Sequence, residues 1–275
     1  MKKLFLLIFI AGCLPRVSAA TVDTVLIYSA AMHKEFPCVI IRPDAYQKKK
    51  NHFPVVYLLH GYDGNYANWI KKAPELTAYA DTYQLIIVCP DGAKSSWYFD
   101  SPIDSTYRYE TYISAEVVQY VDSHFHTIAD KEHRAITGLS MGGHGALFLA
   151  LRHPGIFGAA GSMSGGVDLR ESHNRFEISK RIGDTLTHEA AWHDNSVVYL
   201  VENYPSTPVK MIFDCGVDDF FIDGNRHLHQ TLLRMKIPHE YSEKPGGHSW
   251  AYWKSSLPFH LLYFSRFFAA TSPGK

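Results

Sequence analysis

The chain has 275 residues, of which 46% are hydrophobic, and its 27 basic and 27 acidic side chains give a formal net charge of zero. This composition contains neither the basic patch of a nucleic-acid-binding protein nor the charge run of a disordered tail. The length and the apolar content instead fit one large α/β domain with a sizeable core.

The first nineteen residues are typical of a secretory signal peptide. Two lysines form a positive start, residues 4–10 form an apolar run, and residues 17–20 offer small side chains for cleavage. The run is shorter than the about 20 residues that span a bilayer. Residues 10–13 also resemble a bacterial lipobox, in which Cys13 would carry a lipid. Under both interpretations we expect an exported protein without a transmembrane helix, either periplasmic, secreted or held at the outer surface by the lipid.

Residues 20–275, the predicted mature chain, are interpreted as a single domain that keeps 24 basic and 27 acidic residues. Its three cysteines, Cys38, Cys89 and Cys215, cannot form a disulfide framework, because at most two can pair. Each lies in or beside an apolar run, so we expect small buried hydrophobic residues. There is no Cys-x-x-Cys spacing, phosphate-binding loop or dinucleotide fingerprint, and we therefore predict neither a metal site nor a cofactor.

Apolar runs and helical patterns alternate along this chain. Residues 24–29 and 36–41 predict two opening strands that form an antiparallel pair. Three later runs lack polar alternation, which predicts central strands buried on both faces: residues 55–59, 85–89 and 209–213. A further strand is expected at residues 239–242.

Helical patterns lie between these runs, at residues 69–83, 110–125, 141–152, 225–235 and 250–268. Strands that alternate with helices predict a mainly parallel sheet with helices on both faces. Such sheets bind ligands beyond the carboxyl ends of their strands, where Gly61, Gly92, Ser140 and Gly216 fall. We therefore expect the functional site at that edge of the sheet.

The sequence Gly138-Leu139-Ser140-Met141-Gly142 has the Gly-x-Ser-x-Gly form of a nucleophile elbow. An elbow holds a serine on a tight turn between a strand and a helix, where a histidine can deprotonate its hydroxyl. The bare pattern arises by chance in roughly one chain in ten of this length. Here a strand pattern precedes it and a buried helix pattern follows it, which is the context that this chemistry requires.

A serine nucleophile needs a histidine base and an acid that orients the base. His248 follows two glycines and precedes the last helix, so it is the candidate base. Four acids have suitable spacing after the third central strand: Asp214, Asp218, Asp219 and Asp223. Because Asp214 is expected within the strand, Asp218 and Asp219 are the leading candidates, and the residues alone leave that choice open.

The same chemistry needs two N–H groups that stabilise an oxyanion. We expect one from Met141, which follows the serine, and one from Tyr62, in the loop after the first central strand. Trp97 and Trp250 are candidate substrate contacts, since aromatic walls suit sugar faces and cinnamoyl rings. The alternative, that these tryptophans pack only the core and a lid, stays open.

Five motifs in chain order resemble the esterase D family of α/β-hydrolases. They are Tyr57-Leu58-Leu59-His60-Gly61, Gly138 to Ala146, His153-Pro154 with Phe157-Gly158, Asp214-Cys215-Gly216 with Asp219-Phe220, and Gly246-Gly247-His248-Ser249-Trp250. The resemblance covers nearly all of the predicted mature chain. It implies the α/β-hydrolase fold, with Ser140 as nucleophile, Asp219 as acid and His248 as base, and it supports Tyr62 and Met141 as oxyanion donors.

Together these observations predict an exported serine carboxylic-ester hydrolase that forms an acyl-enzyme. Because the family's S-formylglutathione hydrolases are cytosolic, the signal peptide favours feruloyl, acetyl or short-acyl esters of carbohydrates as substrates. Two alternatives are an acyltransferase that passes the acyl group to a sugar, and a surface module that binds glycans without catalysis.

Overall fold

The computed structural model describes residues 19–47, 51–172, 175–204 and 208–271. Residues 1–18 of the predicted signal peptide, including Cys13, lie outside the described residues. Within the described ranges, no helix combines the length and the apolar character that crossing a membrane requires.

Eight strands form one sheet in the described part of the chain. They are β1 (Thr21–Ser29), β2 (Lys34–Arg42), β3 (Val55–Leu59), β4 (Ile86–Pro90), β5 (Arg134–Gly138), β6 (Ala159–Met163), β7 (Lys210–Gly216) and β8 (His239–Lys244). The spatial order is β1-β2-β4-β3-β5-β6-β7-β8. Among these eight described strands, the pairs β1–β2 and β2–β4 are antiparallel and the other five pairs are parallel, so the predicted mainly parallel sheet is confirmed.

The type of side chain, rather than burial alone, explains which buried strands the sequence revealed. Every residue of β3, β4 and β5 is buried, as expected for central strands covered on both faces. The strand β6 was not predicted, because its sequence Ala159–Met163 consists mostly of small residues without the β-branched side chains that favour strands.

Helices cover both faces of the sheet. They are α1 (Asn68–Lys72), α2 (Leu76–Tyr83), α3 (Tyr109–Thr111) continued by a π-helical stretch (Tyr112–Val117) and α4 (Val118–His124), α5 (Met141–Arg152), α6 (Ser179–Ile182), α7 (Glu189–Asp194), α8 (Val197–Leu200), α9 (Ile222–Arg234) and α10 (Trp250–Thr271). Side chains of α5 and α9 pack on one face with Tyr57 of β3, and those of α2 and α10 pack on the other face with Val56. The predicted layer order is therefore observed.

The helix predicted for residues 69–83 was wrong, since two helices occupy that range. The first ends before Ala73, whose backbone leaves the helical region at φ −130° and ψ 66°. The next residue is Pro74, and a proline disfavours helical geometry in the residue before it. The prediction that Cys38, Cys89 and Cys215 are buried is confirmed, and none of the three forms a disulfide within the described residues.

Candidate active site

Ser140 lies on the tight turn between β5 and α5, at the carboxyl edge of the sheet. Its backbone has φ 55° and ψ −118°, a conformation that a residue with a side chain rarely adopts. Gly142 makes this turn possible, because a Cβ there would lie 2.5 Å from the carbonyl oxygen of His60 and 2.6 Å from that of Leu59. The first turn of α5 therefore packs directly against the end of β3 and holds Ser140 in place.

The structure brings Ser140, His248 and Asp219 together from three separate loops. The Oγ atom of Ser140 lies 2.9 Å from Nε2 of His248. The other ring nitrogen of His248, Nδ1, lies 2.9 Å from Oδ2 and 3.0 Å from Oδ1 of Asp219. A carboxylate only accepts, so Nδ1–H donates to Asp219 and Nε2 is left to accept the hydroxyl proton of Ser140. This arrangement can activate the serine as a nucleophile.

The acid that contacts His248 is held rigidly. Asp219 is 2% exposed and also accepts a 2.9 Å hydrogen bond from the backbone N–H of Phe221. Asp218 and Asp223, which the spacing also allowed, are exposed. Asp214 lies within β7, as expected, and its carboxylate contacts a different histidine. Among the four candidates, Asp219 is therefore the acid that reaches His248.

Aromatic rings surround the imidazole of His248. The ring of Phe220 lies 4.3 Å from it between centroids, and that of Trp253 lies 4.9 Å away and perpendicular to it. These contacts limit the rotation of the imidazole away from Ser140. Neither was predicted as a site residue: Phe220 entered only as part of a family motif, and Trp253 has the same sequence pattern as the other aromatic residues of the last helix.

Two backbone N–H groups beside Ser140 have no protein acceptor among the described residues, those of Tyr62 and Met141. Met141 is the first residue of α5, and the first N–H groups of a helix have no partner within it. They carry partial positive charge. The two groups can therefore donate to an oxygen atom that becomes negative next to Ser140.

His60 fixes the loop that presents Tyr62. Its Nε2 accepts a 2.8 Å hydrogen bond from the backbone N–H of Gly92, so the proton of the neutral ring is on Nδ1, which donates to the carbonyl of Gly61 at 2.8 Å. Burial lowers the pKa of His60 below its usual value and so favours this neutral ring. The hydroxyl of Tyr98 also donates to the His60 carbonyl at 2.9 Å. The loop is thus preorganised before any substrate binds.

Ser140 and His248 open into a cavity of about 380 Å³ that Tyr62, Phe176 and Trp250 also line. Trp250, a predicted contact, therefore has access to a ligand. No sequence pattern indicated Phe176, which reaches the site from a distant loop.

Trp97 is not among the residues that line this cavity. It is 1% exposed, and its Nε1–H donates to the carbonyl of Phe176 at 3.1 Å. The physical reason is that its ring packs against Phe176 from behind, with its edge toward His144. We therefore leave Trp97 out of the candidate substrate contacts.

Across the described ranges, no group of three or more His, Cys, Asp and Glu side chains could hold a metal ion.

Comparisons with known proteins agree with this geometry. Residues 29–264 match a family model described as "Putative esterase". An esterase of Mycobacterium tuberculosis is 30% identical over 239 residues, which cover 76% of this chain and 51% of that protein. An acetyl esterase of Caldicellulosiruptor saccharolyticus is 28% identical over 249 residues, which cover 84% of this chain and 92% of that protein.

The fold is also similar to a solved structure of a ferulic acid esterase. The TM-score is 0.80 at 27% identity, and the match covers 92% of this chain and 100% of that one. The chain spans about half the length of the mycobacterial relatives that it matches, at 51% of theirs.

Proposed function

The chain belongs to the Esterase family, and from that premise we propose that it is an exported serine carboxylic-ester hydrolase with Ser140, His248 and Asp219 as its catalytic triad. The observation that carries the proposal is the continuous hydrogen-bonded chain from Asp219 through His248 to Ser140, which ends in an open cavity. Export rests on the signal-peptide pattern of residues 1–19.

The first half of the reaction forms an acyl-enzyme. The Oγ atom of Ser140 attacks the ester carbonyl carbon while Nε2 of His248 accepts the hydroxyl proton. Asp219 stabilises the resulting imidazolium, and the N–H groups of Tyr62 and Met141 donate to the oxyanion of the tetrahedral intermediate. When the bond to the alcohol oxygen breaks, His248 gives its proton to that oxygen and the alcohol leaves.

The second half releases the acid. Water attacks the acyl carbon while His248 accepts one of its protons, and the oxyanion of the tetrahedral intermediate again accepts hydrogen bonds from the same two N–H groups. Collapse breaks the bond to Oγ, which recovers its proton from His248. Each proton that His248 accepts is returned, so the enzyme ends as it began.

For the substrates, we propose feruloyl, acetyl or short-acyl esters of carbohydrates. The support is a relative named acetyl esterase, a fold neighbour named ferulic acid esterase, and the aromatic walls that Trp250 and Phe176 give the cavity. Its volume of about 380 Å³ is within the range of small-molecule sites.

The test is turnover of 4-nitrophenyl acetate, methyl ferulate and acetylated xylan by the purified protein and by Ser140→Ala. We expect hydrolysis of at least one of these esters, and its loss in the variant. Unchanged turnover in Ser140→Ala would refute the mechanism. A transesterified sugar formed when an acceptor is added would instead identify an acyltransferase, and a Ser140 that no fluorophosphonate labels would favour a non-catalytic glycan-binding module.

A further inference from the structure

A second Asp–His pair lies in the interior, behind the candidate site. Nε2–H of His260, on α10, donates to Oδ2 of Asp214 at 2.8 Å. Nδ1 of the same ring lies 2.9 Å from the hydroxyl of Thr137, on β5. Asp214 is 2% exposed, and His260 and Thr137 are fully buried, so no substrate reaches this network.

The other carboxylate oxygen of Asp214 connects to the loop that carries His248. The hydroxyl of Ser256 donates to Oδ1 at 2.6 Å, and Nζ of Lys244 donates to the Ser256 oxygen at 2.6 Å. Nζ also lies 3.8 Å from Oδ1 itself. Lys244 is the last residue of β8 and Ser256 lies on α10. The hydrogen bond between them therefore joins the residues on either side of segment 245–255, which contains His248.

Each member of the proposed triad is thus close in sequence to a member of the network. Thr137 precedes Ser140 by three residues, and Asp214 precedes Asp219 by five. The network therefore joins β5, β7, β8 and α10, the elements from which all three triad side chains are held.

The network contains the buried charge of Asp214, which makes its contacts costly to break. Burial opposes ionisation of Asp214, but the hydrogen bond from His260 and the charge of Lys244 outweigh it and hold the pKa of Asp214 below its usual value. Removing one partner of a buried charge leaves the other uncompensated, so each contact resists opening. Gly161 on β6 supplies the space, because a Cβ there would lie 2.4 Å from Nδ1 of His260.

We propose that Asp214 is a positioning residue that, through Ser256 with Lys244 and through His260 with Thr137, fixes the His248 loop at proton-transfer distance from Ser140 and Asp219. The inference rests on the proposed function of that triad. A misplacement of about 1 Å in a reacting group can cost a hundredfold in rate. Because the network of Asp214 joins β5, β7, β8 and α10, its loss should lower turnover although none of its members touches the substrate.

The test uses Ser256→Ala and a pair of variants at Thr137: Thr137→Val keeps the branched shape but lacks the hydroxyl, and Thr137→Ser keeps the hydroxyl but lacks the methyl group. Leu261→Ala is the control, because this buried apolar residue is the neighbour of His260 on α10 and takes no part in the network. For each variant we would measure kcat and KM for 4-nitrophenyl butyrate and the rate of fluorophosphonate labelling of Ser140, at a temperature where circular dichroism shows a folded protein.

We expect Ser256→Ala and Thr137→Val to lower kcat and the labelling rate about tenfold with little change in KM, while Thr137→Ser and Leu261→Ala stay within about twofold of the wild type. Wild-type rates in both Ser256→Ala and Thr137→Val would overturn the proposal, as would an equal loss in Leu261→Ala. Labelling needs no particular ester, so a wild-type protein that is labelled but hydrolyses no ester contradicts the proposed hydrolase activity and still allows the positioning role to be measured. A wild-type Ser140 that is not labelled overturns both.

Discussion

The fold contains two chains of acid, imidazole and hydroxyl with nearly the same bond lengths. In the first, Asp219, His248 and Ser140 are linked by contacts of 2.9 Å and 2.9 Å. In the second, Asp214, His260 and Thr137 are linked by contacts of 2.8 Å and 2.9 Å. Hydrogen-bond geometry alone therefore does not distinguish a candidate catalytic site from an interior support.

The surroundings make the difference. Ser140 opens into a cavity, has a backbone φ of 55°, and lies beside two N–H groups that bond to no acceptor in the described part of the chain. Thr137 lies inside a regular strand and is fully buried. Asp219 contacts His248 and one backbone N–H, whereas Asp214 contacts the side chains of Ser256 and Lys244 in addition to its histidine. Access, a strained turn and free donors suit the first chain to a reaction, and burial with extra partners suits the second to holding the elements together.

The largest difference between the two chains is expected when each acid is replaced by its amide. We expect Asp219→Asn to lower kcat by about 10⁴, because the amide favours the wrong tautomer of His248. Asp214→Asn should lower kcat only about tenfold, since it acts through the position of the loop. Steady-state kinetics on 4-nitrophenyl butyrate measures both, and equal losses would show that the two chains do not differ in the way their surroundings indicate.

A second test compares the free energy of unfolding. Here we expect the larger loss from the variant in the second chain, at His260, and the smaller loss from the variant at His248. His260→Ala leaves the Asp214 carboxylate buried without its main partner, so we expect the free energy of unfolding to fall by about 3–5 kcal/mol. His248→Ala should cost about 1 kcal/mol or less, because water from the cavity can solvate Asp219. Urea unfolding followed by fluorescence gives both values. A larger loss in His248→Ala than in His260→Ala would contradict the division into a reactive and a supporting chain.

Local chain geometry explains what could be predicted from the sequence. The elbow at Ser140 is specified by a glycine whose contact with β3 leaves no room for a side chain, so its signature is contiguous. His248 was identifiable from its place in chain order. Asp219 could be separated from Asp218 only by the family resemblance, because both follow the same strand and only folding decides which carboxylate is buried.

The hydrogen-bonded chain of Asp214, His260 and Thr137 could not be predicted from local sequence patterns. Asp214 and His260 are 46 residues apart, and their contact depends on how α10 is rotated above β7. Phe176 and Trp97 illustrate the same limit at the cavity. An aromatic residue after a strand end has the same sequence pattern whether its ring lines a cavity or packs behind one.

His144 differs from both His248 and His260, because among the described residues its ring contacts a backbone carbonyl and no carboxylate. His144 lies on α5, four residues after Ser140, and its Nε2–H donates to the carbonyl of Asn195 at 2.8 Å. Burial lowers its pKa from 6.5 to about 4. We expect the wild type to lose stability on acidification, and His144→Gln, whose amide can keep the bond to Asn195, to lose less.

Proton binding determines the direction in which the stability changes with pH. Between about pH 6.5 and pH 4 the unfolded chain binds a proton at His144 that the folded chain does not, so stability falls as the pH falls through this window and levels off below it. From pH 7.5 to pH 5 the loss from this one group is about 2 kcal/mol. Urea unfolding of wild type and His144→Gln at both pH values isolates it, because all other titrating groups are shared. The same decline in both proteins would mean that His144 binds its proton in the folded state as readily as in the unfolded chain. Burial without a carboxylate would then not lower the pKa of this histidine.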